Sequence, residues 1–187
     1  MKNQEQLIII TGPSGVGKGT VVKEILNMNS KSNKLWLSIS ATTRDAREGE
    51  ENGVHYYFLS KEKFQKMIKD NLFIEWAEFA GNFYGTPVQS INQKIDNGYK
   101  VILEIEVEGA RQIKEKFPNS VSIFLLPPST KELENRIRNR ATENESSISR
   151  RLERSKFEIS CSKDFDYIVI NKNLKETINK VYEIIES

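Results

Sequence analysis

Apolar residues fall along the chain in short runs divided by amphipathic stretches, and their spacing predicts alternating strands and helices. Leu7-Ile8-Ile9-Ile10 is a mostly β-branched run that ends in a glycine-rich turn. Val21/Ile25 and Val22/Leu26 follow at i,i+4 spacing, so the first unit reads as strand, loop, helix. A polar connection over 29–34 leads to a second predicted strand over 35–40, with Ser38 and Ser40 on one face. The stretch 41–53 has charge and glycine but no hydrophobic period, which predicts a long functional loop. Strand character returns over 54–59, and Ser60 is placed to cap a helix bearing Phe64, Met67 and Ile68. Residues 73–79 alternate as a strand does, with Glu75 and Glu78 on opposite faces. A turn is predicted over 80–85, then a helix opened by Pro87, carrying Val88, Ile91 and Ile95, and closed by Gly98.

The second half repeats the alternation. Residues 101–107 are apolar enough for a central parallel strand, with Glu104 and Glu106 spaced to point the same way. A helix then runs to Phe117-Pro118, and 120–126 forms another buried strand stopped by Pro127-Pro128. Ser129 caps a helix through Leu133 and Ile137 whose polar face holds Arg136, Arg138 and Arg140. A hydrophilic break over 142–147 precedes a second basic helix with Arg150, Arg151 and Arg154. A last strand over 166–171 and an amphipathic helix marked by Leu174, Ile178, Val181 and Ile185 complete the chain. The fold class expected is α/β, a doubly wound parallel sheet with right-handed crossovers, interrupted by a strand-rich insertion over 38–86. Ligands in such folds bind at the carboxyl ends of the strands, where the first loop, the acids after Leu103 and the loop at Asn171 should converge.

Composition narrows the function classes. The 187 residues suit a single domain, and the 28 basic and 26 acidic residues leave a net charge of +2, which does not call for a nucleic-acid partner. Cys161 is the only cysteine, so no intramolecular disulfide or zinc-binding cysteine cluster can form; a partly buried small residue is expected. His55 is the only histidine and sits in a strand-like run, where a structural role is expected. The run at Leu7 is too short for a signal peptide or a membrane span, so a cytoplasmic enzyme without a membrane partner is expected. Monomer and homo-oligomer both remain open on the sequence.

The chemistry begins at the first loop. Gly12-Pro13-Ser14-Gly15-Val16-Gly17-Lys18-Gly19-Thr20 has the G-x-x-x-x-G-K spacing of a phosphate loop, with its hydroxyl at Thr20 one place later than usual. Glycines let backbone N–H groups converge, the helix N-terminus adds donors, and Lys18 supplies a full charge for β- and γ-phosphates. Arg44 and Arg47 are suited to clamp an acceptor phosphate, since guanidinium forks match phosphate oxygens. Arg136, Arg140 and Arg151 can close over the transferring group and stabilise its developing charge. Glu104 can hold Mg²⁺ directly or through water. Glu75 can accept both N1–H and the exocyclic amine of a guanine, a donor pair that adenine lacks.

In these motifs the sequence closely resembles the guanylate kinases, which move phosphate from ATP to GMP. The matching stretches are the phosphate loop, Ser40-Ala41-Thr42-Thr43-Arg44 with Arg47, Gly49 and Glu50, then Tyr56-Tyr57-Phe58 and Phe73-Ile74-Glu75-Trp76-Ala77. Gly81-Asn82-Phe83-Tyr84-Gly85-Thr86, Pro127-Pro128-Ser129 and the arginines from Arg136 to Arg151 continue the match in order. The resemblance implies that Ser40, Glu75, Thr86 and Glu106 contact guanine. Arg44, Arg47, Tyr56 and Tyr84 would hold the GMP phosphate, with Glu50 supporting that loop. The residues from Gly12 to Thr20 would bind ATP together with Arg136 and Asn171. Lys18, Arg44, Arg136, Arg140 and Arg151 would carry catalysis, the last two also facing GMP. Thr20 and Glu104 are the candidate Mg²⁺ ligands. The resemblance further implies a core over 1–37, 87–128 and 164–187, a GMP-binding lobe over 38–86, and a helical lid over 129–163 that closes on the substrates.

The sequence departs from the family at identifiable places. Leu103-Glu104-Ile105-Glu106 stands where the family has Leu-Asp-Ile-Asp, and each added methylene moves a carboxylate by about 1 Å or more. Ala46 replaces a proline of the arginine loop, and Ala141 replaces a glycine after the first lid arginines. Two rivals stand beside the kinase: a kinase for another nucleoside monophosphate, and a non-catalytic guanylate-kinase-like module that binds proteins. Such modules lose the loop lysine or the clamp arginines, whereas Lys18, Arg44, Arg47, Arg136, Arg140 and Arg151 are all present.

Overall fold

Strand β1, Leu7–Thr11, is buried at every position and lies at the middle of a five-stranded parallel sheet. The computed structural model describes residues 6–28, 34–79, 81–138 and 145–187, without the side chains of 146 and 147. The sheet order is β2 (Leu35–Leu37), β7 (Lys100–Glu104), β1, β8 (Val121–Leu126), β9 (Tyr167–Ile170). Side chains alternate across it, as the two-residue strand period requires. Leu7, Ile9, Val101 and Leu103 enter one apolar cluster, with Ile91 and Ile95 of α3 (Val88–Asp96) and Ala110 and Ile113 of α4 (Val107–Lys116). Ile8, Ile10 and Ile102 enter the other, with Val21 and Ile25 of α1 (Lys18–Met28) and Ile178, Val181 and Ile185 of α7 (Leu174–Glu186). Each such buried Val, Leu or Ile side chain contributes roughly 1.5–3 kcal/mol of hydrophobic stabilisation.

A second sheet has the order β4 (Tyr57–Phe58), β3 (Ala41–Thr42), β6 (Asn82–Pro87), β5 (Phe73–Phe79). Its anchor is Phe64 of α2 (Lys61–Lys69), fully buried between the rings of Phe73 and Phe83 at 4.4 and 5.6 Å. Ser60 caps α2 as its spacing predicts, accepting from Lys63 N at 3.3 Å. Ser129 likewise accepts from Glu132 N at 3.1 Å at the head of α5 (Thr130–Arg138), which packs on α6 (Glu145–Ser160) through Leu133, Ile137 and Ile148. Among the described residues no helix is long and apolar enough to cross a membrane.

Several predicted boundaries move. Strand β2 stops at Leu37, because the chain turns towards the second sheet after Ser38 N donates to Ile102 O. The predicted loop over 41–53 begins with a strand, β3. Tertiary partners make it so: Ala41 and Thr42 pair with Gly85 and Tyr84 of β6, and Leu59 N donates to Thr42 O at 2.9 Å. Over 54–59 only Tyr57–Phe58 is strand, since Val54 N and His55 N both turn back to Glu51 O. The predicted turn over 80–85 is mostly β6, with residue 80 outside the described residues. Gly85 lies within that strand because a Cβ there would stand 3.0 Å from both the Phe64 ring and Trp76 Cβ. Strand β7 ends at Glu104, and Val107 instead opens α4, with Glu106 as its N-cap. Pro87 caps α3 rather than opening it. Of the predicted connection over 29–34 and break over 142–147, residues 29–33 and 142–144 lie outside the described residues, while Glu145 already begins α6. Arg140 and Ala141 lie outside them too. Cys161 is buried, and its thiol meets Phe157 O at 3.3 Å.

Candidate active site

The loop between β1 and α1 is shaped by its glycines. Gly12 has φ of +147°, and a Cβ there would lie 2.4 Å from Leu125 O, so the chain can pass β8 only without a side chain. At Gly17, φ is +100° and a Cβ would meet Asn171 Nδ2 at 2.8 Å. Asn171 itself follows β9 and donates from Nδ2 to Val16 O at 2.8 Å. Arg136 reaches the same place from α5, its guanidinium donating to Val16 O at 3.3 Å and Asn171 O at 3.4 Å while Glu132 holds its Nε at 3.0 Å. Lys18 Nζ donates across the loop to Gly12 O at 2.7 Å. Arg151 of α6 comes to the opposite side, 3.3 Å from Ser14 Oγ. The loop is therefore braced by β9, α5 and α6 together.

A cleft of about 600 Å³ opens over the loop. It brings Ser14, Gly15, Gly17, Lys18, Gly19 and Thr20 to face Ser40, Arg44, Arg47, Glu50, Tyr56 and Tyr84, with Glu104, Glu106 and Arg151 between them. His55 also lines it, its Nδ1 accepting from Glu51 N at 3.0 Å. Arg136 and Asn171 stand outside the cleft wall, behind the loop. Gly12, Pro13 and Val16 likewise belong to the loop's inner side.

The arginine loop is pre-set by Glu50. Its carboxylate takes Arg44 in a two-pronged pair, 3.0 Å on each oxygen, and also accepts from Arg47 N at 2.7 Å. Burial opposes the charge on Arg44, but the bond and charge of Glu50 outweigh it and raise the guanidinium pKa. Burial likewise opposes the charge on Glu50, and Arg44 and the Arg47 amide outweigh it, so the carboxyl titrates below its ordinary range. The Arg44 guanidinium lies over the rings of Tyr56 and Phe58 at 5.6 and 5.9 Å, which keeps its plane in place. Burial, then the charges of Glu104 and Tyr84, push the Tyr56 hydroxyl well above its ordinary pKa, so it remains a neutral donor.

Glu75 sits behind this wall. It is buried on β5 and accepts from Thr86 Oγ1 of β6, whose oxygen is also 3.5 Å from Ser40 Oγ. Burial raises the Glu75 carboxyl to about 7; the Thr86 bond opposes this, and the charge of Glu106 adds to it. Ser40, Thr86 and Glu75 thus make one polar chain from the cleft inward, the three positions expected to read a base.

Two acids at the strand ends complete the site. The Glu104 carboxylate lies 3.4 and 3.5 Å from where a Gly19 Cβ would stand, directly over the start of α1. Oε2 of Glu106 is buried with no partner among the described residues. The same holds for Oε2 of Glu158, a fully buried residue of α6 that sequence reasoning missed. Burial, then the charge of Glu106, raises Glu158 to about 7 against the pull of Lys18 and Arg154. Nothing local marks Glu158 in the sequence, where it is one charge among many on a basic helix.

A parallel sheet with a glycine-braced anion loop at its carboxyl edge, facing an arginine clamp with a buried carboxyl behind it, defines a P-loop nucleotide kinase. The comparisons agree. A family model described as guanylate kinase matches residues 4–187. A guanylate kinase of Prochlorococcus marinus (strain MIT 9312) is 62% identical over 187 residues, covering 100% of both chains. One of Synechococcus elongatus is 53% identical over 173 residues, 92% of this chain and 93% of that one. The crystal structure of guanylate kinase from Anaplasma phagocytophilum superposes with a TM-score of 0.79 at 32% identity, covering 96% of this chain and 83% of that one. The chain belongs to the guanylate kinase family.

Proposed function

We infer that this protein transfers the γ-phosphate of ATP to GMP, giving ADP and GDP. The observation that carries the reading is the shared cleft, in which a phosphate loop faces an arginine clamp backed by the buried Ser40–Thr86–Glu75 chain. The retained Lys18, Arg44, Arg47, Arg136 and Arg151 disfavour a non-catalytic protein-binding module.

On this reading the loop amides, with Lys18, cradle the phosphates of ATP. Arg44 and Arg47 hold the acceptor phosphate with Tyr56 and Tyr84, and Glu50 keeps the clamp aligned before GMP arrives. The energy of ordering those side chains is then spent in folding rather than in binding. Glu75, when ionised, accepts from the two guanine donors, and Ser40, Thr86 and Glu106 complete the base contacts. Arg151, beside Ser14, lies within reach of the transferring group; Arg140 is assigned the same role by the resemblance. Arg136 and Asn171 brace the loop from behind, and the resemblance assigns them to the donor nucleotide.

Thr20 and Glu104 would hold Mg²⁺. A carboxylate lying over the Gly19 position and a cleft-lining hydroxyl make a hard-oxygen set that leaves places for water and phosphate oxygens. When bound there, the ion neutralises charge on the β- and γ-phosphates. The three-part organisation is part of the proposal: a core over 1–37, 87–128 and 164–187, a GMP lobe over 38–86 and a lid over 129–163. Closure of the lid excludes water and so limits ATP hydrolysis. The cytoplasm, where both nucleotides are made and used, is the compartment this activity suits.

The test is an ADP-release assay with ATP, Mg²⁺ and each of GMP, AMP, CMP and UMP. ADP formed with GMP alone supports the proposal. Turnover with another monophosphate instead would overturn the base assignment, and none with any would overturn the activity.

A further inference from the structure

Helix α4 grips strand β5 at three consecutive residues. Lys116 Nζ donates to Ile74 O at 2.8 Å. Gln112 Nε2 donates to Trp76 O at 2.7 Å, and Gln112 Oε1 accepts from Trp76 N at 3.3 Å. Between these anchors the Glu75 side chain runs onto the helix at Gly109. A Cβ built on Gly109 would lie 2.1 Å from Glu75 Oε2 and 2.9 Å from its Cδ, distances no real pair of atoms holds. Gly109, Gln112 and Lys116 are spaced i, i+3, i+7, and so form one stripe along the helix. A glycine inside a helix costs up to about 1 kcal/mol relative to alanine, so its presence in this stripe needs a reason.

We propose that Gly109 is a positioning residue for base recognition: its missing side chain is the space in which the Glu75 carboxylate is seated against Thr86, opposite the Gln112 clasp on Trp76. The inference rests on the reading of Glu75 as the guanine-binding acid. With the backbones of α4 and β5 tied together on both sides of Glu75, an added methyl cannot push the two elements apart cheaply. The atom that can yield is the free end of the Glu75 side chain. It must retreat by about 1 Å to restore an ordinary carbon–oxygen contact, which breaks the Thr86 bond and moves both oxygens away from a bound base. Gly109 therefore acts on specificity through Glu75 without touching substrate.

The experiment is a two-by-two cycle on the full chain, Gly109→Ala, Glu75→Asp and the double variant, with KM for GMP, KM for ATP and kcat read for each. Gly109→Ala is expected to raise KM for GMP by about tenfold and leave KM for ATP within about twofold. The shorter side chain of Glu75→Asp withdraws its carboxylate from the clash. Its penalty is expected to be several-fold smaller when combined with Gly109→Ala than in the parent chain, giving a non-additive cycle. Should Gly109→Ala fail to fold, Gln112→Met, which removes both bonds to Trp76, is expected to raise KM for GMP and spare KM for ATP. Additive effects, equal loss for both nucleotides, or an unchanged KM for GMP would overturn the proposal. Glu75→Gln separates the two claims. If it leaves GMP use intact the base reading falls and this inference with it; if it impairs GMP use while Gly109→Ala does not, only the positioning role is lost.

Discussion

At the phosphate loop the polar groups are main-chain atoms, Lys18 and two hydroxyls at an open cleft, whereas Glu75 and Thr86 are side chains sealed from water. The loop is contiguous, and its shape comes from positive φ at Gly12, Gly15 and Gly17. The proposed base site gathers Ser40, Glu75, Thr86 and Gly109 from three strand regions and a helix, and places a carboxyl where burial holds its pKa near 7. A site built on backbone is ready at any pH and tolerates change in neighbouring side chains. A site built on a buried acid is selective, because a base that cannot satisfy it leaves an unpaired group in a dry place.

The largest expected effect falls at the loop. Lys18→Ala removes the one full charge of the proposed donor loop and should lower kcat by about a hundredfold or more. Thermal melting should stay close to the parent, since the bond lost within the loop is that to Gly12 O. A near-normal rate would sink the donor assignment. Glu75→Gln should act at the other end, raising KM for GMP by about tenfold or more with KM for ATP nearly constant. Equal changes in both constants would erase the distinction between the two ends.

A third test concerns stability. Glu75 and Glu158 each titrate near 7 in the folded chain against an ordinary value of 4.5. The folded state therefore binds more protons than the unfolded state between those values, and stability should fall as pH rises from 4.5 to about 7, then level off. Glu158→Gln removes one of these acids and should flatten part of the slope, raising stability at pH 8 by about 1–2 kcal/mol. Chemical denaturation at pH 5, 6, 7 and 8 measures it; an unchanged slope would mean that Glu158 stays ionised. The smallest effect is expected at Glu104→Asp, which restores the family's shorter acid. Its activity should stay within about threefold of the parent across a Mg²⁺ titration, and an inactive variant would show that the longer arm is needed.

The same contrast explains what the sequence discloses. The loop and the central strands are legible because their determinants are neighbours in the chain: the run from Leu7 to Ile10 alternates between two apolar clusters, and the glycines follow at once. Strand β3 is not legible, since two residues carry no period and its partners in β4 and β6 make it a strand from elsewhere. Strand β6 hides because Asn82 and Gly85 have the chemistry of a turn, and only the closeness of Phe64 and Trp76 shows why the glycine is there. Glu75 and Arg44 could be singled out by chemical type and Glu50 by the resemblance, but the Gly109 seat could not: it is a tertiary fact. A signal for Gly109 does exist, a glycine in the first turn of a helix where alanine would be preferred.

The Gln112 and Lys116 bonds have a consequence apart from catalysis. Among the described residues, strand β5 is the outermost strand of its sheet, paired on one side only with β6. An exposed strand edge is an open template on which a strand from another molecule can add, the first step of many aggregates. Here the Gln112 side-chain amide takes both backbone groups of Trp76 and Lys116 takes the Ile74 carbonyl, so the edge meets a helix where it would otherwise meet another copy. Crowding in the cell, which favours such encounters between freshly made chains, finds this part of the sheet already occupied.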